Sequence, residues 1–132
     1  MLINFLRFRF RDEVDDATRE RALAAFRKVA SSSAVAFSVI GQDLGDPSEG
    51  YTHSYLVAIP DLEALKRYLH EPVHREMDLF LLPLLAKLAR SASSDDLDPW
   101  LRDKVGALAQ QRLDNDPEWA GLFARIPDLR LG

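Results

Sequence analysis

Apolar and polar positions alternate from the start of the chain. Over residues 2–10, Leu2, Asn4, Leu6, Phe8 and Phe10 fall on one face and Ile3, Phe5, Arg7 and Arg9 on the other. A period of two predicts a β-strand with one face turned to a core. Asp15 or Asp16 can cap a helix through its carboxylate, and Leu23, Phe26, Val29 and Ala30 then recur at helical spacing until Ser31, Ser32 and Ser33 break it. A second strand is predicted over 34–41, carried by Val35, Phe37, Val39 and Ile40, and residues 41–50, with Pro47 among acidic neighbours, read as a surface loop. The third strand, 51–59, has the clearest alternation, placing Tyr51, His53, Tyr55, Val57 and Ile59 on one face.

Pro60 ends that strand, and Asp61 can cap a short helix through Leu62, Leu65 and Leu69. Pro72 disfavours continuing it and suits the first turn of a new one, with Val73, Met77, Phe80 and Leu81 as its buried stripe and Pro83 at its end. The order strand, helix, strand, strand, helix is a split βαβ pattern lacking only its last strand, and it predicts an α+β fold with the helices on one face of the sheet. Beyond Ser91 the texture becomes small and acidic. Two proline-led helices follow, from Asp98-Pro99-Trp100 to about Leu113, and from Asp116-Pro117 through Leu122, Phe123 and Ile126. The expected organisation is one domain over 1–94 and a two-helix extension over 95–132. Trp100 and Trp119 give the extension apolar surface to bury, on its own subunit, on a partner subunit or over a pocket mouth.

At 132 residues, 47% apolar and 29% charged, the chain holds one folded domain. The net charge of -4, with no Lys/Arg cluster longer than a pair, argues against nucleic acid as a partner. The absence of cysteine excludes thiolate chemistry, disulfides and sulfur-ligated zinc, and makes a reducing cytoplasm the simplest home. Arg7 and Arg9 interrupt the stretch a signal peptide would need, and no apolar run reaches membrane-spanning length.

All three histidines fall between positions 53 and 74. His53 points either into a satisfied core or toward a ligand. His74 lies in the first turn of the helix opened by Pro72, where the backbone dipole disfavours the imidazolium and leaves a neutral base. Tyr68, just before the break, can donate a hydrogen bond to a developing oxyanion. The two are either an acid–base pair or a helix-start histidine beside a packing tyrosine. His70 and His74 have metal-site spacing, but Pro72 interrupts the turn, so no metal is expected and His70 is read as surface. No Gly-x-Ser-x-Gly elbow or glycine-rich phosphate loop occurs, so no cofactor is expected. Arg7 and Arg9 would face away from the helices, where Asp or Glu partners or an acidic ligand could meet them, and most such arginines are ion-paired structure.

Three segments together, Phe8-Arg-Phe-Arg-Asp-Glu-Val14, Gly50-Tyr51-Thr-His53 and Leu62-Glu-Ala-Leu-x-x-Tyr68-Leu-His-Glu-Pro72-Val-His74, with Leu82-Pro83-Leu84-Leu85 after them, resemble the stress-responsive dimeric α/β-barrel (Dabb) family over roughly residues 1–90. The resemblance implies a ferredoxin-like βαββαβ subunit pairing sheet to sheet into a homodimeric barrel. Within the family the chain is similar to the polyketide cyclases of the olivetolic acid type, whose catalytic tyrosine and histidine match Tyr68 and His74 and whose pocket histidine matches His53. A histidine common on the family's first strand is Asn4 here, and a second pocket tyrosine falls opposite Phe26. The family's last strand would fall on 88–93, where this chain is small and polar. The expected site is therefore His74, Tyr68 and His53 as catalytic groups, with Asn4, Phe26, Tyr51, Tyr55 and Phe80 against a small-molecule ligand. Three functions are compatible with it: a cofactor-independent, cyclase-like or lyase-like acid–base enzyme acting on a carbonyl-containing, aromatic or polyketide-type substrate; a non-catalytic, stress-associated or ligand-binding dimer; and a cofactor-free monooxygenase.

Overall fold

The computed structural model describes residues 1–131. Strand β1 (Leu2–Phe10) is the centre of a five-stranded sheet of order β2-β3-β1-β4-β5. It pairs antiparallel with β3 (His53–Ile59), setting Asn4 opposite Val57 and Leu6 opposite Tyr55. On its other side it pairs antiparallel with β4 (Leu85–Ser94), and β2 (Phe37–Gln42) completes the far edge against β3. The closing strand thus forms in the small, polar stretch. Leu85 and Leu88 anchor it on the helix side, and Ala89, Ser91 and Ser93 need no cover on the other. Helices α1 (Asp16–Ala30), α2 (Leu62–His70) and α3 (Pro72–Leu81) follow the expected order, so the subunit is a ferredoxin-like α+β fold. Asp15 caps α1 by accepting from the Thr18 N–H, and Asp61 caps α2 through Ala64.

The core lies between the helices and one sheet face. Phe8 stacks on Phe26 at 5.2 Å, and Phe26 meets Tyr55 at 4.6 Å, all three essentially buried. Three local expectations are corrected. The third strand begins at His53 rather than Tyr51, because Gly50 takes a left-handed φ of 83° that breaks the alternation. Tyr51 therefore turns to the opposite sheet face, where Arg7 and Lys87 approach its ring at 4.4 and 4.6 Å. The buried face of α3 is His74, Met77, Asp78 and Leu81. Val73 and Phe80 lie at its margins, and Phe80 packs under the Arg21 guanidinium of α1.

The extension begins with α4 (Leu101–Asp114), which packs on α2, and continues with α5 (Pro117–Phe123), which packs on α3. It ends with β5 (Asp128–Leu131), added parallel to β4. This four-residue strand is too short to announce itself as a pattern. Trp119 is buried, whereas Trp100 is 66% exposed, so the argument from apolar surface holds for one tryptophan and fails for the other. The opposite sheet face carries Ile3 and Phe5 of β1, Leu56 of β3 and Phe37 and Val39 of β2, with no layer over them among the described residues. Among the described residues no helix is long and apolar enough to cross a membrane.

Candidate functional site

Between the helix side of the sheet and α2–α3 lies a cavity of about 460 Å³, with α4 and α5 over it. Its walls are mostly apolar, including Leu6 and Ile59 from the sheet, Met77 and Leu81 from α3, and Leu113 and Phe123 from the extension. Such a chamber with a few converging polar groups is the usual form of a small-molecule site.

The polar groups form a chain. The Tyr55 and Tyr68 hydroxyls are 3.0 Å apart, one donating to the other. The Tyr68 ring meets the His74 ring edge-on at 4.8 Å. His74 Nδ1 is buried without a hydrogen-bond partner, 3.6 Å from Asp78 Oδ2. Because Nδ1 faces Asp78, Nε2 is the nitrogen available to a ligand in the cavity. Asp78 Oδ2 in turn accepts from the indole Nε1–H of Trp119 at 2.5 Å. Behind Trp119, Arg112 lies over the ring at 4.8 Å and donates to the Leu69 carbonyl and to Asp116, which caps α5.

Burial sets the protonation states. The Tyr68 hydroxyl is pushed well above its ordinary range and Tyr55 up to about 12, both by desolvation, so each is a neutral donor at physiological pH. Burial pulls the His74 imidazole down, against the opposing pull of the Asp78 carboxylate. Burial also pushes Asp78 up, opposed by His74 and the Trp119 hydrogen bond. The arrangement offers a neutral imidazole as proton acceptor beside a neutral tyrosine as hydrogen-bond donor.

Of the residues singled out from the sequence, Asn4, Phe26, Tyr55, Tyr68 and His74 line the cavity, and His53, Tyr51 and Phe80 do not. His53 keeps the face assigned to it but is walled off. Phe8 stacks between it and Phe26, and the His53 ring packs edge-on against Phe10 at 5.2 Å with Nδ1 2.8 Å from Thr52 Oγ1. Tyr51 is on the far side of the sheet and Phe80 on the α1 side of α3. Arg7 is ion-paired with Asp43 at 2.9 Å and Glu49 at 3.0 Å, in line with the structural role expected of it. His70 is exposed at the end of α2, and among the described residues no three of His, Asp or Glu converge as a metal site.

Sequence reasoning missed Asp78, with its hydrogen bond from Trp119, and Arg90. Asp78 carried a signal: it lies four residues after His74 and three before Leu81, a carboxylate inside an apolar stripe. Arg90 had none, since its cavity-facing orientation depends on the pairing of β4 with β1. Its Nε donates to Asn4 Oδ1 at 3.0 Å.

Comparison with curated proteins gives no match. Among solved structures, the subunit superposes with a TM-score of 0.66 on the hydroxynitrile lyase of Passiflora edulis, at 15% identity over 73% of this chain and 94% of that one. It superposes at 0.63 on a dimeric ferredoxin-like protein of Thermobifida fusca, 21% identical over 70% of this chain and 89% of that one. A Dabb family protein of Mesorhizobium loti with a ferredoxin-like fold gives 0.64 at 15% identity, over 72% and 96%. The family pattern described as the stress responsive A/B barrel domain matches residues 4–91, from near the start of β1 to the body of β4, leaving the roof of the cavity outside it. With that match running from β1 through β4 and covering more than half of the sequence, the chain belongs to the stress-responsive A/B barrel (Dabb) family.

Proposed function

We propose that the protein is a cofactor-independent acid–base catalyst acting on a small carbonyl compound, aromatic or polyketide-like, in the cavity beneath α4 and α5. The observation that carries this reading is the His74 imidazole, buried between Tyr68 and Asp78 and held against an open chamber. In the proposed step, His74 Nε2 removes a proton from the carbon next to the carbonyl. The Tyr68 hydroxyl donates to the carbonyl oxygen as charge develops on it, and Tyr55 donates to Tyr68 in turn. The imidazolium is stabilised by Asp78 and returns its proton to the product. Attack of the resulting enolate on a second carbonyl would be a cyclase-like outcome, and cleavage of a bond next to the carbonyl a lyase-like one. A hydroxynitrile lyase of the same fold is consistent with a lyase-type outcome. The reading in which these residues merely pack requires a core filled around Phe26, Tyr55 and Phe80; the cavity against Phe26 and Tyr55 weighs against it.

The test is deuterium uptake from D₂O at the α-carbon of an aryl-substituted ketone such as phenylacetone, at its benzylic CH₂, followed by NMR. His74→Ala is expected to remove most of the protein-dependent exchange and Tyr68→Phe a smaller part. Equal exchange by the folded wild type and both variants overturns the assignment.

The subunit is further proposed to work as a homodimer joined through the uncovered sheet face. Phe37 is 53% and Val39 63% exposed there, beside Phe5 and Leu56, an apolar surface that monomers seldom leave open. The dimeric ferredoxin-like neighbour supports the same assembly. In sedimentation, the wild type is expected to run as a dimer and a Val39→Lys, Leu56→Glu double variant as a folded monomer. A monomeric wild type would rule the assembly out.

A further inference from the structure

Arg90 is the guanidinium that lines the cavity. It stands on β4 opposite Leu6 of β1 and Leu131 of β5, so its cross-strand neighbours on both sides are apolar. Other arginines of this chain meet carboxylates: Arg7 pairs with Asp43 and Glu49, Arg75 with Asp116 and Glu118, and Arg112 with Asp116. Among the described residues no carboxylate lies within ion-pair distance of Arg90, and the Asn4 amide oxygen is its one hydrogen-bond partner. Burial pulls the Arg90 pKa down, with no anion among the described residues acting to raise it. The two carboxylates that share the cavity are engaged elsewhere, Asp78 with Trp119 and His74, and Asp114 with Gln110.

A cation partly withdrawn from water without a counter-charge is unfavourable, and a planar guanidinium with free terminal N–H groups has the geometry that grips a carboxylate with two parallel bonds. Asn4 accepts from Nε and so fixes the plane of the fork, leaving both terminal nitrogens for a ligand. We propose that the ligand of this cavity is a carboxylic acid, whose carboxylate docks on Arg90 beside Asn4 while its apolar body fills the chamber toward Tyr68 and His74. The inference rests on the reading of the cavity as a ligand site and names the chemical class that site takes. Asn4 is then a positioning residue, holding the guanidinium toward the ligand.

The experiment is calorimetric titration of the full-length protein with 6-phenylhexanoate and with 6-phenylhexanamide, a matched pair of one size that differs in charge. The wild type is expected to bind the carboxylate about 10- to 100-fold more tightly than the amide, the range that a charged hydrogen-bonded pair supplies. Arg90→Met is expected to abolish the preference by weakening the carboxylate alone, while amide binding reports that the chamber is intact. Arg90→Lys, which keeps the charge and loses the fork, is expected to retain part of it. A wild type that binds both probes equally, or an Arg90→Met variant that keeps the preference, overturns the carboxylate assignment and leaves the ligand site standing. Binding of neither probe at millimolar concentration overturns both. Should Arg90→Met fail to fold, the preference of the wild type and a carboxylate-induced shift of its Arg90 Nε–H resonance decide the matter by the same criteria.

Discussion

Replacing Trp119 by alanine is expected to cost roughly 3–5 kcal/mol of folding stability, the range for deleting a large buried aromatic. Trp119 belongs to the extension, but it is 5% exposed and sits within the main core cluster. Its ring packs edge-on against Phe123 at 5.1 Å and under the Arg112 guanidinium at 4.8 Å. Truncation enlarges the cavity that Trp119 lines together with Met77 and Leu81, and takes an N–H donor from the buried Asp78 carboxylate. Trp119→Phe separates the two contributions. It keeps much of the packing and removes the donor, for which about 1–3 kcal/mol is expected. Trp100→Ala, at a side chain largely in solvent, is expected to change stability by no more than about 0.5 kcal/mol. Chemical denaturation of the three variants checks the order. A loss below about 1 kcal/mol for Trp119→Ala would mean that α4, α5 and β5 fold independently of the barrel unit, leaving the cavity roof an ornament of the domain and not part of it.

What the sequence disclosed follows from how far each signal depends on distant partners. The alternation of β1 and the spacing of α1 are local, and both elements lie where they were expected. Strand β4 hides because half its residues face an uncovered surface and need no apolar side chain; only its partner β1, paired along nearly its whole length, makes Arg90–Ser94 a strand. Tyr51 was misplaced by one glycine, since Gly50 resets the chain direction and sends the ring to the other face. His53 had the right face and the wrong neighbours, because the Phe8 ring between it and Phe26 is a matter of packing that strand spacing does not carry. Tyr68 and His74 come together across the Glu71 break because α2 and α3 meet at an angle there, with Glu71 extended at ψ 132°. The proline that defines that break was legible, and so the pair was too. Asp78 is the instructive omission, for a helix stripe read only for apolar residues passes over the carboxylate that completes it.

Asp78→Asn is expected to separate stability from function at this site. Burial raises the folded-state pKa of Asp78 above its unfolded value near 3.9, so the proton is favoured in the folded protein. The stability this contributes is fully present below about pH 4 and is lost as pH rises through the folded pKa, so at neutral pH the ionised group is a net burden. His74 works in the opposite sense. Its folded pKa lies below 6.5, so its contribution is present above that value and is lost as pH falls through the folded pKa. An asparagine keeps an acceptor for Trp119 Nε1 and carries no charge into the core. The variant is accordingly expected to equal or exceed the wild type in stability at pH 8 by up to about 1–2 kcal/mol, as replacements of poorly compensated buried charges often do. Its stability should no longer fall as pH rises through the folded pKa of Asp78, leaving the His74 limb, in which stability rises with pH up to about 6.5, without an opposing contribution. The proposed turnover should move the other way. Without the carboxylate 3.6 Å from Nδ1, the imidazolium formed on proton abstraction loses its counter-charge, and a fall of about 10²-fold or more is expected, within the span of general acid–base contributions. Urea denaturation across pH together with α-proton exchange reads both effects on one protein. A variant that is less stable at pH 8 and exchanges as fast as the wild type would assign Asp78 to the architecture of the roof, holding Trp119 in place, and would leave His74 to act without it.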